Sequence, residues 1–119
     1  QTMAASLLDE QDVLVVVSNS GRSTDLIEAA HLAQQGGAKV VAITSPGSPL
    51  ARKATVTLVV DAPEDTKTYS PMISRIIHLV IIDILAVGVA LKRGPNVINQ
   101  LEKTKHSLRR KRLRETGEK

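Results

Sequence analysis

Blocks of hydrophobic residues alternate along the chain with polar turns, at a spacing that predicts strands and helices in turn. Residues 13–17 are all apolar, which is typical of a strand covered on both faces, as the strands of parallel sheets are. Residues 24–35 place leucine, isoleucine and alanine side chains on one side of a helix, and Gly36-Gly37 ends that helix. This strand–turn–helix unit predicts an α/β fold.

The rest of the pattern extends the same unit. A second strand is predicted over residues 39–43, and residues 55–60 alternate in the way of a third strand nearer the edge of a sheet. The other predicted elements are helices: the end of one over residues 1–8, a short one from Pro49, a long apolar one over 72–91 and a basic one over 96–114. The order predicts a doubly wound parallel sheet with helices on its faces.

The long apolar segment, residues 72–91, has the length of a membrane span. Its first half contains Arg75, His78 and Asp83, and three ionisable groups make membrane insertion unfavourable by several kcal/mol. A helix that is apolar on most sides is better placed between a sheet and a second subunit. We therefore expect core packing and the interface of a homodimer or higher homo-oligomer here, and no membrane partner.

Composition limits the classes of site and compartment. The 119 residues suffice for one domain, and with Tyr69 as the one aromatic residue its core must be aliphatic. No cysteine is present, which excludes disulfides, thiolate metal sites and a cysteine nucleophile. A cytoplasmic location fits this composition. We expect neither a metal nor a cofactor.

Charge is distributed unevenly along the chain. Residues 92–119 carry ten Lys or Arg against three acids, whereas residues 1–91 carry six against nine. The run Arg109-Arg110-Lys111-Arg112 can mark contact with nucleic acid. It has no interleaved aromatic residue or glycine, so we favour a solvated helix end over direct DNA binding.

Hydroxyl side chains cluster where the first predicted strand meets its helix. Ser18, Ser20, Ser23 and Thr24 surround Gly21, which can adopt a backbone conformation that a Cβ atom would forbid. Hydroxyls next to the unpaired N–H groups of a helix N-terminus suit a phosphate dianion. A simple helix cap is the alternative, but a cap needs only one acceptor. Neither the lysine of a P-loop nor the glycine spacing of a dinucleotide motif is present.

The second predicted strand also ends in hydroxyl residues, Thr44 and Ser45. Open α/β sheets bind their ligands at the carboxyl ends of the strands, so both residues are secondary ligand candidates. The alternative is a plain turn in which Ser48 caps the short helix that starts at Pro49, and we slightly prefer it.

The turn formed by residues 18–23, Ser-Asn-Ser-Gly-Arg-Ser, resembles the S-x-S-G-x-[ST] phosphate motif of SIS (sugar isomerase) domains. Residues 69–76, Tyr-Ser-Pro-Met-Ile-Ser-Arg-Ile, narrow the resemblance to the SIS domains of RpiR-type bacterial transcription regulators. That family implies a dimeric, three-layer αβα, flavodoxin-like fold with a five-stranded parallel sheet. This chain supplies about three strands and lacks the first. We expect the SIS domain over residues 1–114, with residues 115–119 as a tail.

The resemblance also implies roles for individual residues. Ser18, Ser20 and Ser23 resemble phosphate ligands that act through their hydroxyls, while Asn19 resembles the polar residue that assists the backbone amides. The predicted phosphate site is Ser18, Asn19, Ser20, Gly21, Ser23 and Thr24, and the secondary candidates are Thr44, Ser45, Arg75 and His78. Thr24 acts as a ligand or as the cap. For Arg75, an interface ion pair with Asp83 is an equally good interpretation.

The family's isomerases place a glutamate at the start of the long helix, as the base for proton transfer between adjacent carbons. No acid occurs in residues 69–74, and Glu64 and Asp65 lie too far upstream. His31 is interpreted as a surface residue and His78 as a core or interface histidine. A phosphate site without a catalytic group predicts a sensor rather than an enzyme.

The resemblance therefore implies the effector-binding domain of a regulator of sugar catabolism. The implied ligand is a phosphorylated sugar acid, 2-keto-3-deoxy-6-phosphogluconate, and DNA would be bound only through an N-terminal helix-turn-helix domain absent here. A sugar-phosphate isomerase or aldolase-like enzyme of the same fold is the alternative. A dimerisation module without a ligand is the third hypothesis, because fold alone does not decide function.

Overall fold

Three strands and the helices between them form the frame of the protein. The computed structural model describes residues 1–61 and 72–117, with no side-chain description at 97, 98 and 112–117. The elements are α1 Thr2–Ala5, β1 Val13–Ser18, α2 Thr24–Gln35, β2 Lys39–Thr44, α3 Pro49–Lys53, β3 Val56–Val59, α4 Met72–Arg93 and α5 Pro95–Gly117. The order predicted from the sequence is confirmed, and most boundaries lie within a few residues of the predicted ones.

The strands form one parallel sheet in the order β1-β2-β3. Its register places Ser18 opposite Thr44, and Thr44 opposite Val59. Because all three strands run the same way, the residues that follow them lie at one edge of the sheet. The predicted α/β class with a parallel sheet is confirmed, and β3 lies at an edge of the sheet that the described residues form, as expected.

The main core lies between this sheet and α2. Leu14 and Val16 of β1 lie on the same sheet face as Val40 and Ala42 of β2, since these residues are register partners. The buried cluster on this face also takes in Ala5, Ala29, Ala30, Ala33, Ala38 and Leu50. Small alanine side chains let α2 approach the strands closely. The core is aliphatic, as the composition predicts.

The opposite face of the sheet is only partly covered. Val13, Val15 and Val17 of β1 are exposed by 58%, 48% and 36%, whereas Ile43, the register partner of Val17, is fully buried. The prediction that β1 is covered on both faces is therefore wrong for this chain. On this second face of the sheet, the buried side chain is that of Ile43 in β2. A run of valines is typical of a strand buried on both faces, but the run does not determine whether another element packs against the second face.

The chain divides into two compact units, Gln1–Val80 and Ile81–Lys119. Two residues of α4 are buried, Ser74 and His78, and both belong to the first unit. Most apolar side chains of α4 are exposed, and the buried apolar cluster of the described residues contains none of them, so core packing of this helix stays a prediction. α4 is long and apolar enough to cross a membrane, and one such helix is weak support for a span.

Several sequence predictions fall outside the described residues. The loop residues Glu64, Asp65 and Tyr69, together with Ser70 and Pro71, are among them. The domain limits, 1–114 with a tail from 115, remain a prediction.

Candidate phosphate-binding site

The turn after β1 is shaped by its own serines. Gly21 has a φ of +63°, a left-handed conformation that glycine adopts without a steric penalty, as predicted. The Gly21 N–H donates to Ser18 Oγ at 3.1 Å, and the Arg22 N–H donates to Ser20 Oγ at 3.3 Å. Two hydroxyl oxygens thus accept from the backbone of the turn.

In these two bonds the serine hydroxyls act only as acceptors, so neither bond uses a serine O–H donor. A hydroxyl has one O–H donor and two acceptor lone pairs, so an oxygen that accepts from an amide can still donate its proton. Ser20 is exposed and Ser18 is half-buried. Both hydroxyls can therefore donate to an anion that approaches the turn. A fully ionised phosphate needs such donors, because its oxygens can only accept hydrogen bonds.

The amino end of α2 follows directly. Ser23 is the N-cap residue, yet its side chain makes no capping hydrogen bond, and both Ser23 and Thr24 are exposed. The first-turn N–H groups of α2 therefore receive no acceptor from the Ser23 side chain, and the positive end of the helix dipole faces the same region. Such a helix start attracts anions. Asp25, in the same first turn, is also exposed.

The segment after β2 packs against the turn. Ser45 Oγ donates to the Ser20 carbonyl at 3.2 Å, and the Leu50 N–H donates to the Gly21 carbonyl at 3.0 Å. Thr44 is fully buried, and its Oγ1 lies 3.4 Å from Ser48 Oγ. The structure thus brings Thr44 and Ser45 to the predicted phosphate turn.

Ser48 has the capping role that we preferred from the sequence. Its Oγ accepts from the Ala51 N–H at 3.2 Å at the start of α3. Sequence reasoning missed a second property of this buried residue: a Cβ atom built on Gly21 would lie 2.2 Å from Ser48 Oγ and 2.5 Å from Thr44 Oγ1. The hydroxyl-rich composition of the segment was its only signal in the sequence.

The remaining secondary candidates lie on α4. Arg75 is exposed, whereas His78 is 8% exposed, and its buried Nε2 has no hydrogen-bond partner among the described residues. His31 is exposed on α2, as predicted. Within the described part of the chain, no group of histidines and carboxylates could hold a metal ion. The contribution of Arg75 and His78 to ligand binding stays a prediction.

Comparison with known proteins identifies the family. The sequence profile of the SIS domain matches residues 1–88 of this chain. The chain belongs to the SIS domain family. The resemblance stated from the serine motif is confirmed, and the three-stranded parallel sheet with its crossover helices is the corresponding part of the flavodoxin-like SIS fold.

Curated relatives include bacterial regulators. The HTH-type transcriptional regulator HexR of Pseudomonas aeruginosa is 47% identical over 108 residues, and HexR of Escherichia coli is 43% identical over 113 residues. These alignments cover 91% and 95% of this chain but 38% and 39% of the relatives. The bifunctional protein glk of Burkholderia thailandensis is 54% identical over 97 residues, which are 81% of this SIS chain and 15% of glk.

Solved structures support the same fold. The Vibrio vulnificus NanR protein, complexed with ManNAc-6P, superposes with a TM-score of 0.77 at 30% identity over 90% of this chain and 40% of NanR. A hypothetical protein superposes with a TM-score of 0.61 at 25% identity, over 72% of this chain and 50% of that one. This SIS chain therefore spans less than half the length of the HexR and NanR proteins.

Proposed function

We propose that this SIS chain is the effector-binding part of a transcription regulator of sugar catabolism, and that it binds a sugar phosphate rather than transforming it. The observation that carries the proposal is the turn after β1. There, serine hydroxyls lie next to the N-terminus of α2, whose N-cap side chain makes no capping hydrogen bond. The HexR relatives are regulators by name, and NanR was solved with ManNAc-6P. Those likenesses support the assignment.

The phosphate would lie against the turn and the start of α2. Ser18, Ser20 and Ser23 donate their O–H groups to it, and the first-turn amides of α2 donate N–H groups. Thr24 adds a further hydroxyl, and Asn19 assists the backbone amides of the turn. Gly21, with its positive φ, allows the backbone curvature on which this arrangement of donors depends.

We propose a phosphorylated sugar acid, 2-keto-3-deoxy-6-phosphogluconate, as the ligand, on the strength of the high identity to HexR. The turn recognises the phosphate, which many sugars share. Selectivity for the sugar acid then depends on groups outside the turn, with Arg75 and His78 as candidates from this chain.

We further propose a cytoplasmic homodimer in which α4 contributes to the interface. Apolar side chains spread along this helix are more than half exposed in the single chain, among them Ile76, Leu79, Ile84 and Val87. Exposed apolar surface of this extent marks an interface. DNA would be bound through a separate helix-turn-helix domain, and the ligand would act by favouring one of two dimer arrangements.

Thermal unfolding in the presence of sugar phosphates tests the binding site. A ligand at 100 times its Kd stabilises the folded state by about 2.7 kcal/mol, which raises Tm by roughly 10 °C for a domain of this size. We expect this shift with 2-keto-3-deoxy-6-phosphogluconate and its loss in Ser20→Ala. The control is Ser6→Ala, an exposed serine whose hydroxyl donates to the Met3 carbonyl near α1.

The outcomes separate the hypotheses. A shift that Ser6→Ala keeps and Ser20→Ala loses supports a sensor with its phosphate on the turn. Turnover of fructose 6-phosphate or arabinose 5-phosphate would instead establish a sugar-phosphate isomerase. The absence of any shift across the sugar phosphates would leave a dimerisation module and remove the proposed function.

A further inference from the structure

Behind the phosphate turn lies a pair of buried hydroxyl residues from the next crossover. Thr44, the last residue of β2, is fully buried, and Ser48, the N-cap of α3, is 5% exposed. Their hydroxyl oxygens are 3.4 Å apart, and Ser48 Oγ also accepts from the Ala51 N–H. The pair is therefore held in place by β2 on one side and by α3 on the other.

Gly21 rests directly on this pair. The atoms nearest to a Cβ built at Gly21 are Ser48 Oγ, Ser48 Cβ and Thr44 Oγ1, all within 2.5 Å. The Leu50 N–H donates to the Gly21 carbonyl from the same segment, and Leu50 is itself fully buried. The middle of the phosphate turn is thus fixed from behind by packing and by one main-chain hydrogen bond.

The neighbouring residues of the turn are anchored less firmly. Ser20 and Arg22 are exposed, and the bonds at 3.1 Å and 3.3 Å within the turn join residues only two or three positions apart, so these bonds move with the turn. The Ser20 carbonyl also accepts from Ser45 Oγ at 3.2 Å, which again belongs to the segment after β2. The position of the turn therefore depends on contacts made by a segment more than 20 residues later in the chain.

We infer that Thr44 and Ser48 are positioning residues for the phosphate turn: through Gly21 they set the geometry of the hydroxyls, and hence ligand affinity, without touching the ligand. The inference rests on the proposed function. It assigns to Thr44 a role different from the direct contact predicted from the sequence, because a fully buried side chain has no surface to offer a ligand in solution.

The test compares hydroxyl removal at the two ends of the sheet. Thr44→Val keeps the side-chain shape and removes the hydroxyl, and Ser48→Ala removes the other member of the pair. The matched control is Thr55→Val, because Thr55 Oγ1 also accepts a backbone amide, that of Val40 at 3.0 Å, but at the amino ends of the strands. Affinity for 2-keto-3-deoxy-6-phosphogluconate is measured by titration calorimetry well below the unfolding temperature of each variant.

We expect about tenfold weaker binding in Thr44→Val and in Ser48→Ala, and less than about twofold in Thr55→Val. A control that weakens binding as much as the pair variants would show a general loss of folded structure and would overturn the inference. Unchanged affinity in both pair variants would overturn it too, while leaving the proposed function intact.

Amide hydrogen exchange provides a readout that needs no ligand. If the pair holds the turn, the Gly21 and Leu50 amides exchange faster in Thr44→Val and Ser48→Ala than in the wild type, and Thr55→Val leaves them unchanged. Equal exchange in all four proteins would refute the positioning role. If the wild type binds no sugar phosphate, the proposed function fails, and this measurement still decides whether the pair positions the turn.

Discussion

Replacing Gly21 by alanine is a stringent perturbation of the site, since it adds one carbon atom at a defined place. At a φ of +63° the new Cβ costs about 1–2 kcal/mol in backbone strain. It would also lie 2.2 Å from Ser48 Oγ, which no side chain tolerates, so Ser48 must move. That movement breaks the Ser48 cap of α3 or overpacks the segment, at a further cost of about 1–3 kcal/mol. The sum is about 2–5 kcal/mol.

The chain contains a matched control for this change. Gly47 has a φ of +64°, and a Cβ built on it meets no atom within 4 Å. Gly47→Ala therefore carries the same backbone strain and the same effect on the unfolded chain as Gly21→Ala, without the collision. The difference between the two variants isolates the packing of Gly21 against Thr44 and Ser48, and we expect it to be about 1–3 kcal/mol.

Urea unfolding followed by circular dichroism measures this difference. With an m value of about 1–3 kcal/mol per molar, Gly21→Ala should unfold at a urea midpoint roughly 1 M below that of Gly47→Ala. Ligand binding, assayed below both midpoints, should be weakened in Gly21→Ala and kept in Gly47→Ala. Equal urea midpoints for the two variants would refute the reasoning, because the close approach behind the turn would then be absent.

Three further changes test other parts of the structure. Ser23→Ala should lower the free energy of unfolding by about 0.5 kcal/mol and Ser48→Ala by about 1 kcal/mol, because of these two serines only Ser48 makes a capping hydrogen bond. Thermal unfolding measures both values, and the reverse order would contradict the cap assignment. Leu50→Ala, at a fully buried position, should cost about 2–5 kcal/mol in urea unfolding, and a cost below 1 kcal/mol would place Leu50 outside the core. Leu79→Asp, on the exposed face of α4, should convert dimer to monomer in light scattering; an unchanged mass would exclude Leu79 from the interface.

The unit that carries the site could be predicted from the sequence because its signals are local. A run of valines, a serine- and glycine-containing turn and a helix-forming segment lie within residues 13–35, and the structure places β1 and α2 there. The positive φ of Gly21 and the cap at Ser48 are also local properties. Each follows from the residue type and its immediate neighbours.

Contacts between distant segments could not be predicted in this way. The packing of Gly21 against Thr44 and Ser48 joins residues more than 20 positions apart, and no periodicity encodes it. The exposed face of β1 shows the same limit: Val13, Val15 and Val17 are equally apolar whether or not an element covers them. Hydrophobic pattern indicates which side chains favour burial, and only the tertiary structure determines what buries them.

The register of the sheet has a consequence for the order of folding. Pairing β2 with β3 joins Val41 to Val56, about 15 residues apart, whereas pairing β1 with β2 joins Val13 to Lys39, about 26 residues apart. The longer closure costs about 0.5 kcal/mol more in chain entropy, so we expect β2, α3 and β3 to associate first. The Thr44–Ser48 segment would then be in place before β1 docks. On this route the phosphate turn is shaped last, against a template that has already formed.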